Sequence, residues 1–134
     1  MTLRVQSARI TYRGEARLDC TRKSGKEGLF LAPSWAILRP ALDARKRADA
    51  LAKNGMFFDA SCIESDARDR YVSAYLDEMR RSYVDNRPQW TALLARERVV
   101  LCCYCTDPEH CHRALLRVRI LPALGAVDEG EVRP

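Results

Sequence analysis

Four of the six cysteines and both histidines lie within the fifteen residues from Val99 to Arg113. This segment begins with the apolar run Val99-Val100-Leu101-Cys102-Cys103-Tyr104, passes through a polar turn and ends in Cys111-His112-Arg113. Thiols act as nucleophiles or metal ligands, an imidazole acts as a base, and a guanidinium pairs with anions. The segment therefore contains most of the thiols and both imidazoles on which catalysis or metal binding could depend.

The order of these residues predicts a strand, a turn and a helix. A run that is apolar on both faces is typical of a central strand in a parallel sheet, and we predict a strand over 99–104. Apolar residues at three- and four-residue spacing predict a helix over 111–124. Ligands of open α/β sheets bind beyond the carboxyl ends of strands, where helix N-termini attract anions. We therefore predict an anion- or nucleotide-type pocket at this junction.

Three chemical interpretations of the junction remain open from the residues alone. Cys111 could be a nucleophile, because a helix N-terminus and Arg113 would depress the pKa of its thiol and His112 could serve as base. Cys105, at the end of the predicted strand, is the second candidate nucleophile. In another interpretation, Arg113 and His112 bind a substrate anion without a covalent step. In the third, both thiols are unreactive and buried in a close-packed turn, as cysteines often are.

A metal site at the same residues is a weaker interpretation. Cys103, Cys105 and Cys111 with His110 or His112 supply enough ligands for zinc. Their spacing, Cys-x-Cys-x5-Cys-His, is not a common zinc pattern, and no second cysteine pair lies elsewhere in the sequence. We therefore expect no metal and no other cofactor, and a zinc-stabilised interaction domain ranks third among the functions considered.

Residues that contact the substrate are expected in two other parts of the chain. Arg22, Lys23 and Ser24 begin a basic, glycine-containing loop, which we expect to close over an anion. Tyr12 and Tyr71 are expected to form walls of the pocket. The alternative for the loop is that its charges are simply solvated.

The remaining chain alternates strand and helix patterns. Alternating apolar residues predict strands at 3–12 and 18–21. Helical periodicity and turn residues predict helices over 35–38, 41–53, 66–83 and 86–96, with Pro40 in or interrupting the first of them. The tail 126–134 is expected to fray. The pattern predicts one domain over 1–134, a small three-layer Rossmann-like α/β fold with a largely parallel sheet flanked by helices.

Composition and charge narrow the classes of protein. The chain is 47% hydrophobic and 31% charged, which excludes a disordered tail and a membrane protein. Residues 1–10 lack the apolar core of a signal peptide, so we expect a cytoplasmic protein with unpaired cysteines. The net charge of +5 permits a phosphate-bearing partner. Because basic residues alternate with acidic ones, as in Asp66–Arg70, we expect a small anionic ligand and only weak nucleic-acid binding.

The strand–turn–helix segment resembles the domain-of-unknown-function family 488. Members of that family have an apolar strand ending near a cysteine, a short acidic turn, and Cys-His-Arg at the start of a helix, as in Val99–Cys105 followed by Cys111-His112-Arg113. Looser similarity covers three further segments, which are Leu18–Arg22, Ala32–Leu38 and the paired tyrosines of Tyr71–Tyr75.

Two departures mark the chain as a divergent branch of that family. Cys105 stands where many members have a glutamate, and the usual Gly-His-Ser-like turn near the N-terminus is missing. The resemblance implies a Rossmann-like α/β fold and a role in nucleotide or nucleic-acid metabolism. We therefore expect an enzyme, and the alternative is a non-catalytic nucleic-acid- or nucleotide-binding module.

Overall fold

The structure, a computed structural model, describes residues 2–105 and 111–133. The predicted acidic turn, with Asp107, Glu109 and His110, lies outside the described residues. The described strands form one four-stranded sheet in the order β2-β3-β1-β4, and every neighbouring pair is parallel. Its strands are β1 (Arg4–Arg9), β2 (Arg17–Asp19), β3 (Arg98–Cys103) and β4 (Val127–Glu131). The prediction of a small, Rossmann-like α/β fold with a parallel sheet is confirmed.

Strand β3 is the central buried strand that the apolar run predicted. It lies between β1 and β2, and every residue from Val99 to Cys103 is at most 1% exposed. Side chains alternate along a strand, so Cys102 and Cys103 face opposite sides of the sheet. Cys102 packs with Ala8 and Val100 on one face. Cys103 faces the other side, where the helix after β3 packs.

Two of the described helices, those that begin at Trp35 and Phe57, are longer than the sequence pattern predicted, and the others are shorter. The helices are α1 (Trp35–Lys53), α2 (Phe57–Asp85), α3 (Arg87–Leu94), α4 (His112–Leu115) and α5 (Leu121–Ala123), with a short 3-10 turn at Leu29–Leu31. Pro40 does not divide α1. Proline has a helix-compatible φ, so the helix continues with the loss of one backbone hydrogen bond.

Helix α2 begins nine residues before the predicted start at position 66. Phe57 and Phe58 are 68% and 80% exposed, so the apolar residues of its first turn do not mark a buried face. The helix start is favoured instead by Asp59 in the first turn, where a carboxylate complements the helix dipole. Apolar periodicity therefore did not predict the first nine residues of this helix.

The helix after the turn is not the single α-helix that was predicted over 111–124. A π-helical turn at Leu116–Ile120 separates α4 from α5, and the Leu121 amide donates to the Leu116 carbonyl five residues earlier. Pro122 has no amide hydrogen to donate back into the preceding turn, which explains why regular α-helical bonding fails there. π-helical turns often occur at functional sites.

The tail does not fray as the sequence suggested, because Val127–Glu131 forms strand β4 beside β1. The register shifts between Val5, which lies opposite Asp128, and Ser7, which lies opposite Glu131. The extra residue of this β-bulge is accommodated next to Gly130, whose φ of 86° suits a residue without Cβ. The bulge places Glu131 opposite Ser7.

Backbone contacts divide the chain into two compact units. One comprises Met1–Ala32 with Met79–Pro134 and contains the sheet, and the other comprises Pro33–Glu78 and contains α1 with most of α2. The assignment of one domain therefore stays a prediction. Among the described residues, no helix has both the length and the apolar character that crossing a membrane would require.

A buried aromatic cluster organises the helical part of the first unit. Trp90 is fully buried and meets the rings of Phe30 and Tyr83 edge-on, with centroids 5.6 and 5.5 Å away. Its indole Nε1 donates to Ser82 Oγ over 3.1 Å, and Ser82 Oγ donates to the Phe30 carbonyl over 2.7 Å. This serine therefore satisfies the one polar atom that the buried tryptophan carries.

Candidate active site

Three thiols meet where β3 ends and α4 begins. The Sγ atoms of Cys103 and Cys111 are 2.6 Å apart, and both residues are buried. The Cys105 side chain is partly exposed and also hydrogen-bonds to Cys111. All six cysteines of the chain are unpaired. Cys103 was considered in the sequence only as a metal ligand, because the sequence did not show which of two adjacent cysteines faces the helix.

Arg113 is fully buried and binds Cys103 directly. Its Nη1 donates to Cys103 Sγ over 2.8 Å and to the Cys105 carbonyl over 2.7 Å. Its Nε and Nη2 donate to the two carboxylate oxygens of Glu131 over 3.2 and 2.8 Å. Four of its five N–H groups are therefore used inside the protein. The sequence suggested that Arg113 contacts a substrate anion; in the structure its guanidinium contacts Cys103, the Cys105 carbonyl and Glu131, and contact with an anion stays a prediction.

The two close thiols have opposite protonation preferences. The hydrogen bond from Cys111 lowers the pKa of Cys103 most, burial opposes this, and the charge of Arg113 lowers it further, so the net pKa is below the usual value. For Cys111, the contacts with Cys103 and Cys105 together with burial raise the pKa well above that value. Cys103 is therefore the thiol that ionises first, and Cys111 stays protonated. These pKa directions favour Cys103, whereas the sequence suggested Cys111 as the activated thiol, and that assignment stays a prediction.

His112 is a neutral imidazole with a fixed tautomer. Burial lowers its pKa to about 4, although the hydrogen bond to Cys20 opposes the shift. Its Nε2 lies 2.8 Å from the Cys20 carbonyl oxygen, which can only accept, so Nε2 carries the hydrogen. Nδ1 is then an acceptor, and it lies 3.5 Å from Cys111 Sγ. His112 therefore presents an acceptor nitrogen to the Cys111 thiol.

A second arginine extends the ion-pair network along the same face of the sheet. Ser7, fully buried in β1, donates to Glu131 and accepts from Arg117 Nε over 2.9 Å. Arg117 also pairs with Asp128. Burial alone would raise the pKa of Glu131, but the hydrogen bonds from Arg113 and Ser7 hold it below its usual value. Cys103 is thus connected through Arg113 to a carboxylate that stays ionised.

The loop that follows β2 lies beside the residue that follows β3. Ser24 Oγ bonds to Asp19 and accepts the hydroxyl of Tyr104 over 2.8 Å. Lys23 Nζ lies 5.8 Å from the centre of the Tyr104 ring, close enough for a cation–π interaction. Arg22 Nη2 donates to the Ala32 carbonyl over 3.1 Å. The loop is therefore anchored at the carboxyl end of the sheet, as a substrate-binding segment would require.

A comparison with protein families adds one finding to this geometry. The family model DUF488-N3a, described as the active DUF488-N3 subclade, matches residues 25–123, which is most of the chain and includes β3, the thiols and Arg113. The chain belongs to the DUF488-N3a family. The suspected relationship to family 488 is thereby confirmed. No curated protein and no solved structure matches the DUF488-N3a chain.

The structure of this DUF488-N3a chain places Tyr12, one of the two tyrosines expected to form walls of the pocket, on the face of the sheet away from the thiols, and the expectation for Tyr71 stays a prediction. Tyr12 packs against Ala8, Val100 and Cys102, on the face of the sheet opposite to Cys103. Its hydroxyl donates to the Glu15 carbonyl. Tyr71 belongs to the other compact unit. There its ring stacks on that of Tyr75, with centroids 6.0 Å apart.

Four residues of this DUF488-N3a site were missed in the sequence. Glu131 lies in the tail that was expected to fray, Ser7 in the first predicted strand, Cys20 in the similar segment Leu18–Arg22 and Tyr104 in the predicted strand 99–104, and none of them had been given a role in the site. The one signal that could have indicated a polar network is Ser7, a serine at an apolar position of a strand. The position of Glu131 depends on the pairing of β4 with β1, which no local pattern encodes.

The thiol cluster of this DUF488-N3a chain also contains metal-type donors. One ligand atom each from Cys103, Cys111 and His112 lies within 4.8 Å of the others. Two thiolates on one zinc ion, with Zn–S bonds of about 2.3 Å and tetrahedral angles, would have sulfurs about 3.8 Å apart. The observed 2.6 Å is much shorter. Binding one zinc ion would therefore require the two sulfurs to move apart by about 1.2 Å, beside the positive charge of Arg113.

Proposed function

We propose that this DUF488-N3a chain is an enzyme that uses a cysteine thiolate at the carboxyl end of β3 to attack a small anionic substrate. The observation that carries the proposal is the buried Arg113, which donates to Cys103 Sγ over 2.8 Å and keeps that thiol next to a positive charge. A thiolate is the nucleophilic form of cysteine, and a neighbouring arginine favours it. The reaction class is transfer or hydrolysis through a covalent thiol intermediate.

The neighbouring residues supply the remaining roles in this proposal. Cys103 is the nucleophile, and Arg113 holds its charge through the ion pair with Glu131. Cys111, which stays protonated, donates a proton to the leaving group. The water or acceptor that attacks the covalent intermediate returns a proton to Cys111, and His112 orients the Cys111 thiol, because its Nδ1 faces that sulfur. Cys105, the partly exposed thiol beside them, contacts the substrate at the entrance.

The anchored loop provides the binding part of the proposal. Lys23 and Ser24 are exposed and lie beside Tyr104, so a phosphate or carboxylate held there would lie at the carboxyl end of β3. Arg22 fixes the loop through its hydrogen bond to Ala32. The proposal includes a cytoplasmic location, because a reactive thiol cluster stays reduced there.

Thiolate absorbance and turnover test this proposal together. In the wild type, ultraviolet absorbance should show a thiol that ionises below the usual cysteine pKa of about 8.5. Cys103→Ser should remove that step. Cys102→Ser is the matched control, since Cys102 is its buried neighbour on the opposite face and burial raises the pKa of its thiol to about 11. A panel of small phosphate and carboxylate esters should be turned over by the wild type and Cys102→Ser, and not by Cys103→Ser. Turnover that survives Cys103→Ser would refute the assignment.

A non-catalytic nucleotide- or nucleic-acid-binding module is the second candidate. It is favoured by the ring of Tyr104, which is 49% exposed and flanked by Lys23, because exposed aromatics next to cations stack with bases. Titration with oligonucleotides and nucleotides at two salt concentrations separates the two functions. Binding that Tyr104→Ala weakens, without turnover of any ester, would favour the module. Oligonucleotide binding that disappears at physiological salt would favour the enzyme.

A further inference from the structure

We propose that Cys103 and Cys111 are a modification site, at which hydrogen peroxide converts the two thiols into a reversible disulfide. The inference rests on the proposed function for its consequence, since a disulfide would remove both the nucleophile and the proton donor. The modification itself depends only on the thiol pair and its surroundings.

The geometry singles out one pair among the six cysteines. Cys103 and Cys111 Sγ are 2.6 Å apart, so an approach of about 0.5 Å brings them to the bonded distance of about 2.05 Å. Cys102 faces the other side of the sheet, and its thiol donates to the Val100 carbonyl. The Cys20 thiol donates to the Cys102 carbonyl over 3.3 Å. Only Cys105 competes, since it also contacts Cys111.

The surroundings also determine which thiol reacts first. Cys103, beside the guanidinium of Arg113, attacks one oxygen of peroxide as the thiolate, and the O–O bond breaks. The sulfur becomes a sulfenic acid and the second oxygen leaves as hydroxide. The Cys111 sulfur then attacks the Cys103 sulfur, its proton combines with the departing hydroxide to give water, and the disulfide forms. Peroxide is thereby reduced by two electrons, and the two thiols are oxidised by two.

Burial makes the site selective for small oxidants. Cys103 is 1% exposed and Cys111 is 5% exposed. Hydrogen peroxide is little larger than water, whereas thiol–disulfide exchange with oxidised glutathione requires the bulky tripeptide to reach a sulfur in line. We therefore expect peroxide to close the disulfide much faster than oxidised glutathione does. The exposed Cys62 should show the opposite preference.

Peptide mass spectrometry on the whole chain tests the inference. The protein is reduced, freed of metal with EDTA, treated with equimolar hydrogen peroxide, and alkylated after unfolding. No lysine or arginine lies between Val99 and Arg113, so trypsin releases the four neighbouring cysteines in one peptide. A second cut at Asp107 or Glu109 separates Cys111 from the others unless a disulfide joins them. We expect the two fragments to stay joined until a reductant is added.

Cysteine-to-serine variants identify which two residues form the disulfide. The linked peptide should disappear in Cys103→Ser and Cys111→Ser, and persist in Cys102→Ser and Cys105→Ser. A link that survives Cys103→Ser, or that is lost in Cys105→Ser, would overturn the assignment. So would oxidation of the wild type to sulfinic acid without a link, or purification with one zinc per chain that blocks both thiols.

The two proposals fail in distinguishable ways. If the disulfide does not form but Cys103→Ser abolishes ester turnover, the enzyme proposal stands and this inference is wrong. If the disulfide forms with the expected partners but no ester is turned over, the modification site stands and the proposed reaction is wrong. If both hold, peroxide should abolish turnover and a reductant should restore it fully.

Discussion

Replacing Glu131 by glutamine tests the central link of the site, which is the pairing of a buried arginine with a carboxylate. The variant keeps the size and one acceptor of the side chain but removes its charge. Arg113 is 0% exposed and the Glu131 side chain 10% exposed, so the pair is close to fully buried. Breaking a buried pair typically costs 3–5 kcal/mol, and the acceptor that glutamine retains reduces this to about 2–4 kcal/mol. For a chain of 134 residues the loss corresponds to a decrease in Tm of about 7–14 °C.

The same variant should destabilise the fold but favour the thiolate form of Cys103. Without the carboxylate, the charge of Arg113 acts on Cys103 alone, so the pKa of Cys103 should fall further. Urea denaturation measures the free energy of unfolding, and thiolate absorbance measures the pKa of Cys103. Asp128→Asn is the matched control on the same strand, since the partly exposed pair of Asp128 with Arg117 should contribute only about 0.5–1 kcal/mol. An equal loss of stability in both variants, or a higher pKa of Cys103 in Glu131→Gln, would refute the reasoning.

Three further outcomes are expected. Burial lowers the pKa of His112 to about 4, so between about pH 6.5 and pH 4 the unfolded chain binds a proton that the folded chain does not. The wild-type free energy of unfolding should therefore fall by up to about 3 kcal/mol as the pH is lowered through that range. Denaturation series at several pH values should show that His112→Gln removes most of the decrease. Ser82→Ala should lower the free energy of unfolding by about 1–3 kcal/mol, because Trp90 Nε1 loses its buried acceptor, whereas the exposed Ser73→Ala on the same helix should change it little. EDTA should leave Tm unchanged, because the buried guanidinium of Arg113 binds Cys103 Sγ and would repel a cation at that sulfur; a fall in Tm, with zinc found by metal analysis, would contradict this.

The sequence was sufficient for the elements whose burial is encoded locally. Strand β3 is apolar from Val99 to Cys103, where every residue is buried and the strand lies between β1 and β2, and such a run has few alternatives. The Cys-His-Arg segment follows it closely in the chain, so its place at the carboxyl end of the sheet needed no long-range information. The anchored position of Ser24, by contrast, depends on its contacts with Asp19 and Tyr104.

The parts that were missed depend on pairing between distant residues. Strand β4 reads Val-Asp-Glu-Gly-Glu, which has the composition of a turn or a tail, and only its hydrogen bonds to β1 make it a strand. The bulge beside Gly130 then determines that Glu131 lies opposite Ser7. The choice of Cys103 over Cys111 as the ionised thiol depends on Arg113 and on the face of β3, neither of which the spacing of cysteines reveals.

The central position of β1 has a consequence for how the protein folds. Its residue Val5 pairs with Val99 on one side and Asp128 on the other, so both neighbours are synthesised about a hundred residues later. Contacts of such long range form slowly, because a long loop must close before any pairing stabilises the chain. The thiols near β3 therefore spend the early stages of folding away from Arg113 and Glu131, with six cysteines able to meet in non-native combinations. A reducing environment would then protect the folding pathway from non-native disulfides, in addition to keeping the proposed thiolate available in the folded protein.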